Sequence, residues 1–493
     1  MESFLSAVLG ELASRSINFF ISRSSKPKVL EVEDRLKRAL LRAQVIVNEA
    51  TGRNITNQAM LQQLDMLRNA MHQGCYMLDT FRYQYHGVED AKDQVLSHSL
   101  SLSKVSSLKG IGSSNRKTLL LEQLQEALDN LSSMILDVKE LVVILPSYPR
   151  LNCQPYSMHL QLSNCMFGRQ MESELVINFL LHTQRHGSEE LDVLPIVGPG
   201  KVGKSTLVAH VCKNERVRDH FSEILFLRDH DFTDDNLSVF RGCATRQQNR
   251  TSNSNKDRGW LVVVDLVGDL NEDAWNVLYS SCKQRIPSTS KIIIASRSAK
   301  ITKFATTHAL NLKYLSSEAF WYFFKTVTFG SIDPKMHPRF VHVAMEIANK
   351  LERGIIGANM LSRLLRDNFD IHFWCKVLAF LRGVVEKHVS KFGVHPFHLI
   401  NQNKPVHLGR LATPFEDLIF YCEHQISSQE DFPKIRLEDV MYGSVTALGK
   451  LEFLGWISPI PPYYSYVVTC EVRELKRSAA KRKRSIENGT TLC

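Results

Sequence analysis

No stretch of about 18 uncharged apolar residues occurs in this 493-residue sequence, so no membrane-spanning helix is expected. Met1-Glu2-Ser3 carries no basic stretch of the kind that opens a signal peptide. The 10 cysteines are scattered, with no Cys-x-x-Cys pair and no Cys/His group at zinc spacing. That excludes a zinc finger or ribbon and argues for buried free thiols in a reducing compartment. Cys493 is terminal, so it does not form a prenylation box. No internal repeat with a period of roughly 20–50 residues appears, and no leucine-rich repeat array.

What is present is an ordinary globular composition, 44% hydrophobic and 23% charged. The length suits several domains. The net charge is +10, and part of it lies in Lys476-Arg477 and Lys481-Arg482-Lys483-Arg484. This tail reads either as a solvated terminus or as a nuclear-import or nucleic-acid patch. It lacks interleaved aromatics and any reading helix, so nucleic acid is not an expected partner. The expected compartment is the cytoplasm, with the nucleus as the alternative through this tail.

Residues 1–145 show helical periodicity. Phe4, Leu5, Val8, Leu9 and Leu12 recur at three- and four-residue spacing, ahead of Pro27. Val29 to Val47, Gln58 to Tyr85 and Lys117 to Leu145 continue the pattern, with a Ser- and Lys-rich link from Ser97 to Ser114. Four such helices predict a small bundle. Residues 146–166, with Pro146, Pro149 and Pro155, read as a linker. Residues 167–310 alternate short apolar runs with helical segments. Leu191–Val197, Ile224–Leu227, Trp260–Val264 and Lys291–Ala295 are the strand candidates of a doubly wound parallel sheet. Residues 311–400 return to helix. Residues 401–470 read as a degenerate winged-helix-like or irregular region, with Phe453–Ile457 and Tyr463–Val468 as candidate strands. Residues 471–493 read as a basic disordered tail.

Gly198-Pro199-Gly200-Lys201-Val202-Gly203-Lys204-Ser205 fits the pattern Gly, four residues, Gly-Lys-Ser/Thr, between a predicted strand and a predicted helix. Glycines let the backbone approach a polyphosphate, and the helix N-terminus adds partial positive charge. Gly198, Gly200, Lys201, Val202, Gly203, Lys204, Ser205 and Thr206 are therefore candidate nucleotide-binding residues. Lys204 would reach the β- and γ-phosphates, and Ser205 would ligate Mg²⁺. Leu261-Val262-Val263-Val264-Asp265 is an apolar strand ending in a carboxylate, which makes Asp265 the second Mg²⁺ candidate. Arg297 follows the strand Lys291–Ala295, and its guanidinium suits a terminal phosphate.

These pieces, in this order, resemble the nucleotide-binding domain of plant NB-ARC disease-resistance proteins of the coiled-coil type, in a truncated form lacking leucine-rich repeats. Val217-Arg218-Asp219-His220-Phe221 looks like that family's block ahead of its second strand, and Val262–Asp265 with Trp275 looks like its aspartate strand. Residues 1–145 are similar to its Rx-N-like coiled-coil domain. Leu67–Met71 and Leu78–Phe81 lie where that domain carries an acidic motif, here reduced to Asp79. The resemblance implies ADP or ATP with Mg²⁺ and a defence response. It also implies protein partners through the N-terminal helices, either full-length immune receptors or a second copy of this chain. Several departures bear on mechanism. Leu266 stands where the family has a second acid that helps activate water, and only Asp269 or Glu272 is near enough to substitute. Glu352-Arg353-Gly354-Ile355-Ile356-Gly357-Ala358 replaces the Gly-Leu-Pro-Leu turn that abuts the nucleotide, and no Met-His-Asp sensor is found. Binding without efficient hydrolysis is the expectation. A weak ATPase and a nucleotide-free scaffold or decoy are the alternatives.

Overall fold

A computed structural model describes residues 29–86, 113–150, 166–182, 190–228 and 258–474, apart from 412, 414, 427–431, 444, 446–447 and 461–462. The first expected helix, most of the Ser/Lys-rich link and the basic tail beyond 474 lie outside the described residues. The chain divides into two compact units, residues 1–374 with 458–463, and residues 375–457 with 464–493.

The first unit opens with helices α1 (29–51), α2 (Gln58–His86) and α3 (Ser113–Asp137), then the short α4 (Lys139–Ile144). Leu36, Leu40, Leu64, Leu67, Leu124 and Leu131 form their common core. Gly74 marks the crossing of the three long helices. A Cβ there would lie 3.1 Å from Leu40, 3.4 Å from Leu36 and 3.7 Å from Leu131. The single stretch expected over Lys117–Leu145 is two helices, separated at Val138.

Next come α5 (Gln170–Leu181), β1 (Asp192–Val197), α6 (Lys204–Cys212), α7 (Glu215–His220), β2 (Glu223–Arg228), β3 (Trp260–Asp265), α8 (Glu272–Arg285), β4 (Lys291–Ser296) and β5 (Leu310–Asn311). The strands form a parallel sheet in the order β2-β3-β4-β1-β5. Successive strand residues point to opposite faces. Leu194, Ile196, Leu261, Val263 and Ile293 face α5 and α6. Val193, Val262, Val264, Ile292 and Ile294 face α8. With a helical layer on each side, unbroken apolar runs are what a buried parallel sheet requires. Pro195 fits this sheet because its missing N–H falls on the β5 side, below where β5 begins. On that side Val193 N donates to Thr306 Oγ1 at 2.7 Å, and Val197 O accepts from Leu312 N at 2.8 Å.

Helices α9 (Ser317–Phe329), α10 (Pro338–Ala348) and α11 (Ile355–Asp367) follow. Phe329, Phe340, Phe369 and Trp374 pack ring against ring among them. Helix α12 (Ile371–Phe392) begins in this unit and ends in the second.

The second unit holds α13 (Pro396–Asn401), β6 (Val406–His407), β7 (Glu416–Ile426), α14 (Leu437–Met441), β8 (Gly449–Ile457) and β9 (Ser465–Glu474). Its strands form an antiparallel sheet in the order β6-β7-β9-β8 around Leu418, Phe420, Phe453, Val468 and Cys470. Within residues 401–470, expected as a degenerate winged-helix-like or irregular region, the described residues form these strands and the short α14, and the candidate strands Phe453–Ile457 and Tyr463–Val468 fall largely in β8 and β9. The final strand also runs past the expected start of the tail at 471. Cys212, Cys282 and Cys470 are buried thiols, each pushed up to about 12 chiefly by desolvation, so they are unreactive at neutral pH.

Candidate phosphate-binding site

The ends of three adjacent strands bring the predicted residues together. In the β1–β4 pairing Val197 lies opposite Ser296, and in the β3–β4 pairing Asp265 lies opposite Ala295. The loop after β1, Asp265 and Arg297 therefore leave the sheet at one edge, the carboxyl end where ligands bind in such folds.

Gly198 must be glycine, because a Cβ there would lie 2.4 Å from the carbonyl oxygen of Leu312. Gly203 has φ +98 and precedes α6, and Leu207 N donates to its carbonyl at 2.8 Å. Lys201 also takes the left-handed region, at φ +59, which a non-glycine residue enters at a cost of about 1 kcal/mol. Val202 is buried in the core beneath the loop. Ser205 and Thr206 lie in the first turn of α6. A Cβ on Gly200 would lie 3.0 Å from the guanidinium carbon of Arg297, so this guanidinium rests on the loop backbone.

Lys204 is 7% exposed, and its ammonium donates to the carbonyls of Gly198 at 2.7 Å and Pro199 at 2.8 Å. Burial pushes its pKa down, the Arg297 charge pushes further and Asp265 pulls back, leaving it at about 8. Among the described residues the ammonium is thus hydrogen-bonded to loop carbonyls alone, partners that an incoming phosphate outcompetes. Ser205 and Asp265 are hard-oxygen side chains of the kind that would hold Mg²⁺ beside phosphate.

The position after Asp265 does no such chemistry. Leu266 is 5% exposed within the α8-side core, and its N–H donates to Ala295 O at 2.8 Å. Asp269 pairs with Lys300 at 2.6 Å, and Glu272 pairs with Lys303. Both candidate substitutes for the missing acid lie at the surface and pair with lysines. Trp275, Val217 and Phe221 serve the core, with the Trp275 ring tilted against Tyr279 and Phe304. Lys291, the first residue of β4, is also structural. It donates to Phe179 O at 2.7 Å and His182 O at 2.5 Å, satisfying carbonyls at the end of α5.

Three residues at the site escaped the sequence reading. Met166 Cε would lie 3.5 Å from a Cβ on Gly203. Tyr314 donates its hydroxyl to Gly200 O at 2.7 Å. Arg353 lies over the Tyr314 ring, 5.8 Å from its centroid. Only the motif's own boundaries carry a sequence signal. These three come from remote segments that the fold brings to the loop.

A parallel five-stranded sheet whose first strand feeds a glycine loop and a helix defines a phosphate-loop α/β domain. The sequence profile of the NB-ARC domain matches residues 169–332. The relatives it matches are named as plant disease resistance proteins. The putative disease resistance RPP13-like protein 1 of Arabidopsis thaliana is 24% identical over 413 residues, covering 77% of this chain and 37% of that protein. Disease resistance protein RGA2 of Solanum bulbocastanum is 25% identical over 223 residues, covering 42% of this chain and 23% of the other. The chain thus spans well under half the length of these relatives. The solved structure of C. elegans PCH-2 aligns at a TM-score of 0.29 with 15% identity, over 44% of this chain and 67% of that one. Among the described residues no helix is long and apolar enough to cross a membrane.

Proposed function

We propose that this chain binds ADP or ATP with Mg²⁺ at Gly198–Thr206 and acts in plant defence as a nucleotide-dependent protein-interaction switch or adaptor. The observation that carries the reading is Lys204, a buried ammonium with no carboxylate within ion-pair distance among the described residues, seated between loop carbonyls and influenced by the charges of Arg297 and Asp265. The fold itself does not require a buried cation there. A ligand that favours one arrangement of domains shifts the population toward it. In this reading the N-terminal helices present that state to other proteins, either immune receptors or a second copy.

Hydrolysis is not part of the proposal, because Leu266 is built into the core and Asp269 and Glu272 are engaged by lysines. Steady-state phosphate release from the pure protein with Mg-ATP is expected at background. Turnover abolished by Asp269→Asn or Glu272→Gln would favour the ATPase reading instead.

The lowered pKa of Lys204 gives a second expectation. Phosphate needs the protonated ammonium, which the protein keeps below about pH 8. Above that, binding must take up a proton. Affinity for Mg-ADP is expected to be level near neutral pH and then to fall by up to about tenfold per pH unit above about 8. Titration with a fluorescent ADP analogue across this range reads the effect, and an affinity that stays level above pH 8 contradicts it.

A further inference from the structure

Two separated segments meet at Gly200 of the phosphate loop, and a third packs on one of them. Arg297, after β4, rests its guanidinium on Gly200. Tyr314, after β5, holds the carbonyl of the same residue at 2.7 Å. Arg353, from the turn before α11, lies over the Tyr314 ring. This turn is unusual. Glu352 and Arg353 both take left-handed backbone, at φ +45 and +61, although neither is glycine. Consecutive non-glycine residues in this region cost about 1 kcal/mol or more each and persist where the surroundings over-determine them. Gly354 N donates to Leu351 O at 2.9 Å and closes the turn, and the Arg353 guanidinium lies over Tyr314.

The charge arrangement is equally specific. Among the described residues Arg353 makes no ion pair, and its guanidinium lies over the Tyr314 face. Tyr314 feels the positive charge of both Arg297 and Arg353, although burial dominates and raises its hydroxyl. Both guanidiniums act on Tyr314, and Arg297 also acts on the Lys204 ammonium. Like charges gathered near one loop repel, and a polyanion bound there would relieve the repulsion.

We propose that Arg353 is a second guanidinium reader of the bound nucleotide's distal phosphates, opposite Arg297, and that Tyr314 is the positioning residue that holds it there. The proposal rests on the nucleotide-binding reading above. It makes the Glu352–Arg353 turn the place where the charge state of the nucleotide reaches α11 and the helices packed on it.

The test uses the full chain and calorimetric titration with Mg-ATP, Mg-ADP and AMP. Wild type, Lys204→Ala, Arg353→Gln, Arg353→Lys and Tyr314→Phe are compared. Arg353→Gln is expected to weaken ATP and ADP about tenfold, the loss of one charge-assisted contact, while AMP is unchanged. Arg353→Lys, which keeps the charge, is expected to recover part of that loss. Tyr314→Phe removes only the hydroxyl and is expected to give a smaller loss with the same ATP-over-AMP signature and an unchanged melting temperature. If Arg353→Gln weakens all three nucleotides alike, or none, the clamp is overturned and the site stands. If wild type binds no nucleotide and Lys204→Ala changes nothing, the site and the clamp both fall.

Discussion

Asp79→Ala is expected to destabilise the first unit by about 3 kcal/mol, the cost of stranding a buried ammonium. Asp79, on α2, accepts hydrogen bonds from Trp321 Nε1 at 2.9 Å and from the Lys325 ammonium, both on α9. The Asp79 and Lys325 side chains are only 12% and 17% exposed. Burial alone would lower the pKa of Lys325, but the Asp79 carboxylate outweighs it and the net shift is upward. The ammonium therefore stays charged through the neutral range. Removing Asp79 leaves that charge and the indole N–H without their acceptor. Urea denaturation reads the loss. The double change Asp79→Leu with Lys325→Met is expected to return most of it, since apolar side chains of similar size tolerate such a site. A single variant as stable as wild type would show that the two helical layers do not depend on this contact.

Gly198→Ala is expected to be the most damaging change within the phosphate loop. The added methyl carbon would lie 2.4 Å from the Leu312 carbonyl, which is backbone and cannot rotate away. Leu312 is also bound to Val197 by its own N–H at 2.8 Å, so a shift there disturbs the β1–β5 pairing. A cost of about 3 kcal/mol, at the upper end of overpacking, is expected together with loss of nucleotide. Gly200→Ala is the control. Its methyl would meet only the flexible end of Arg297, at 3.0 Å. That variant is expected to fold with a near-normal melting temperature and to bind nucleotide more weakly. Equal melting temperatures for the two variants would contradict this account of the loop.

Much of this was legible in the sequence because it is local. The four apolar runs of the α/β domain became β1 to β4 within a residue or two, since a strand buried on both faces needs an unbroken apolar run. The loop announced itself through its glycines, of which Gly198 and Gly203 meet backbone demands that other residues meet poorly. Leu266 was noticed as a missing acid, and the structure adds that its side chain is core. What stayed hidden was tertiary. β5 is two residues long and has no pattern to read. The β7–β9 and β8–β9 pairings each carry a register shift, at Phe420/Cys422 and Leu454/Trp456, which breaks the two-residue alternation that would have identified the sheet. Tyr314 and Arg353 reach the loop only because β5 and α11 fold beside it. Asp79 was singled out by resemblance, but its partners on α9 lie more than two hundred residues away in sequence.

The central claim is that Gly198–Ser205 holds a nucleotide. Its most direct test is the adenine nucleotide released on denaturing the purified full chain, quantified by chromatography for wild type and Lys204→Ala. The account predicts close to one ADP or ATP per wild-type molecule, or full loading after incubation with Mg-ADP, and almost none from Lys204→Ala. Wild-type protein that carries no nucleotide and cannot be loaded, or Lys204→Ala protein loaded as fully as wild type, would contradict it.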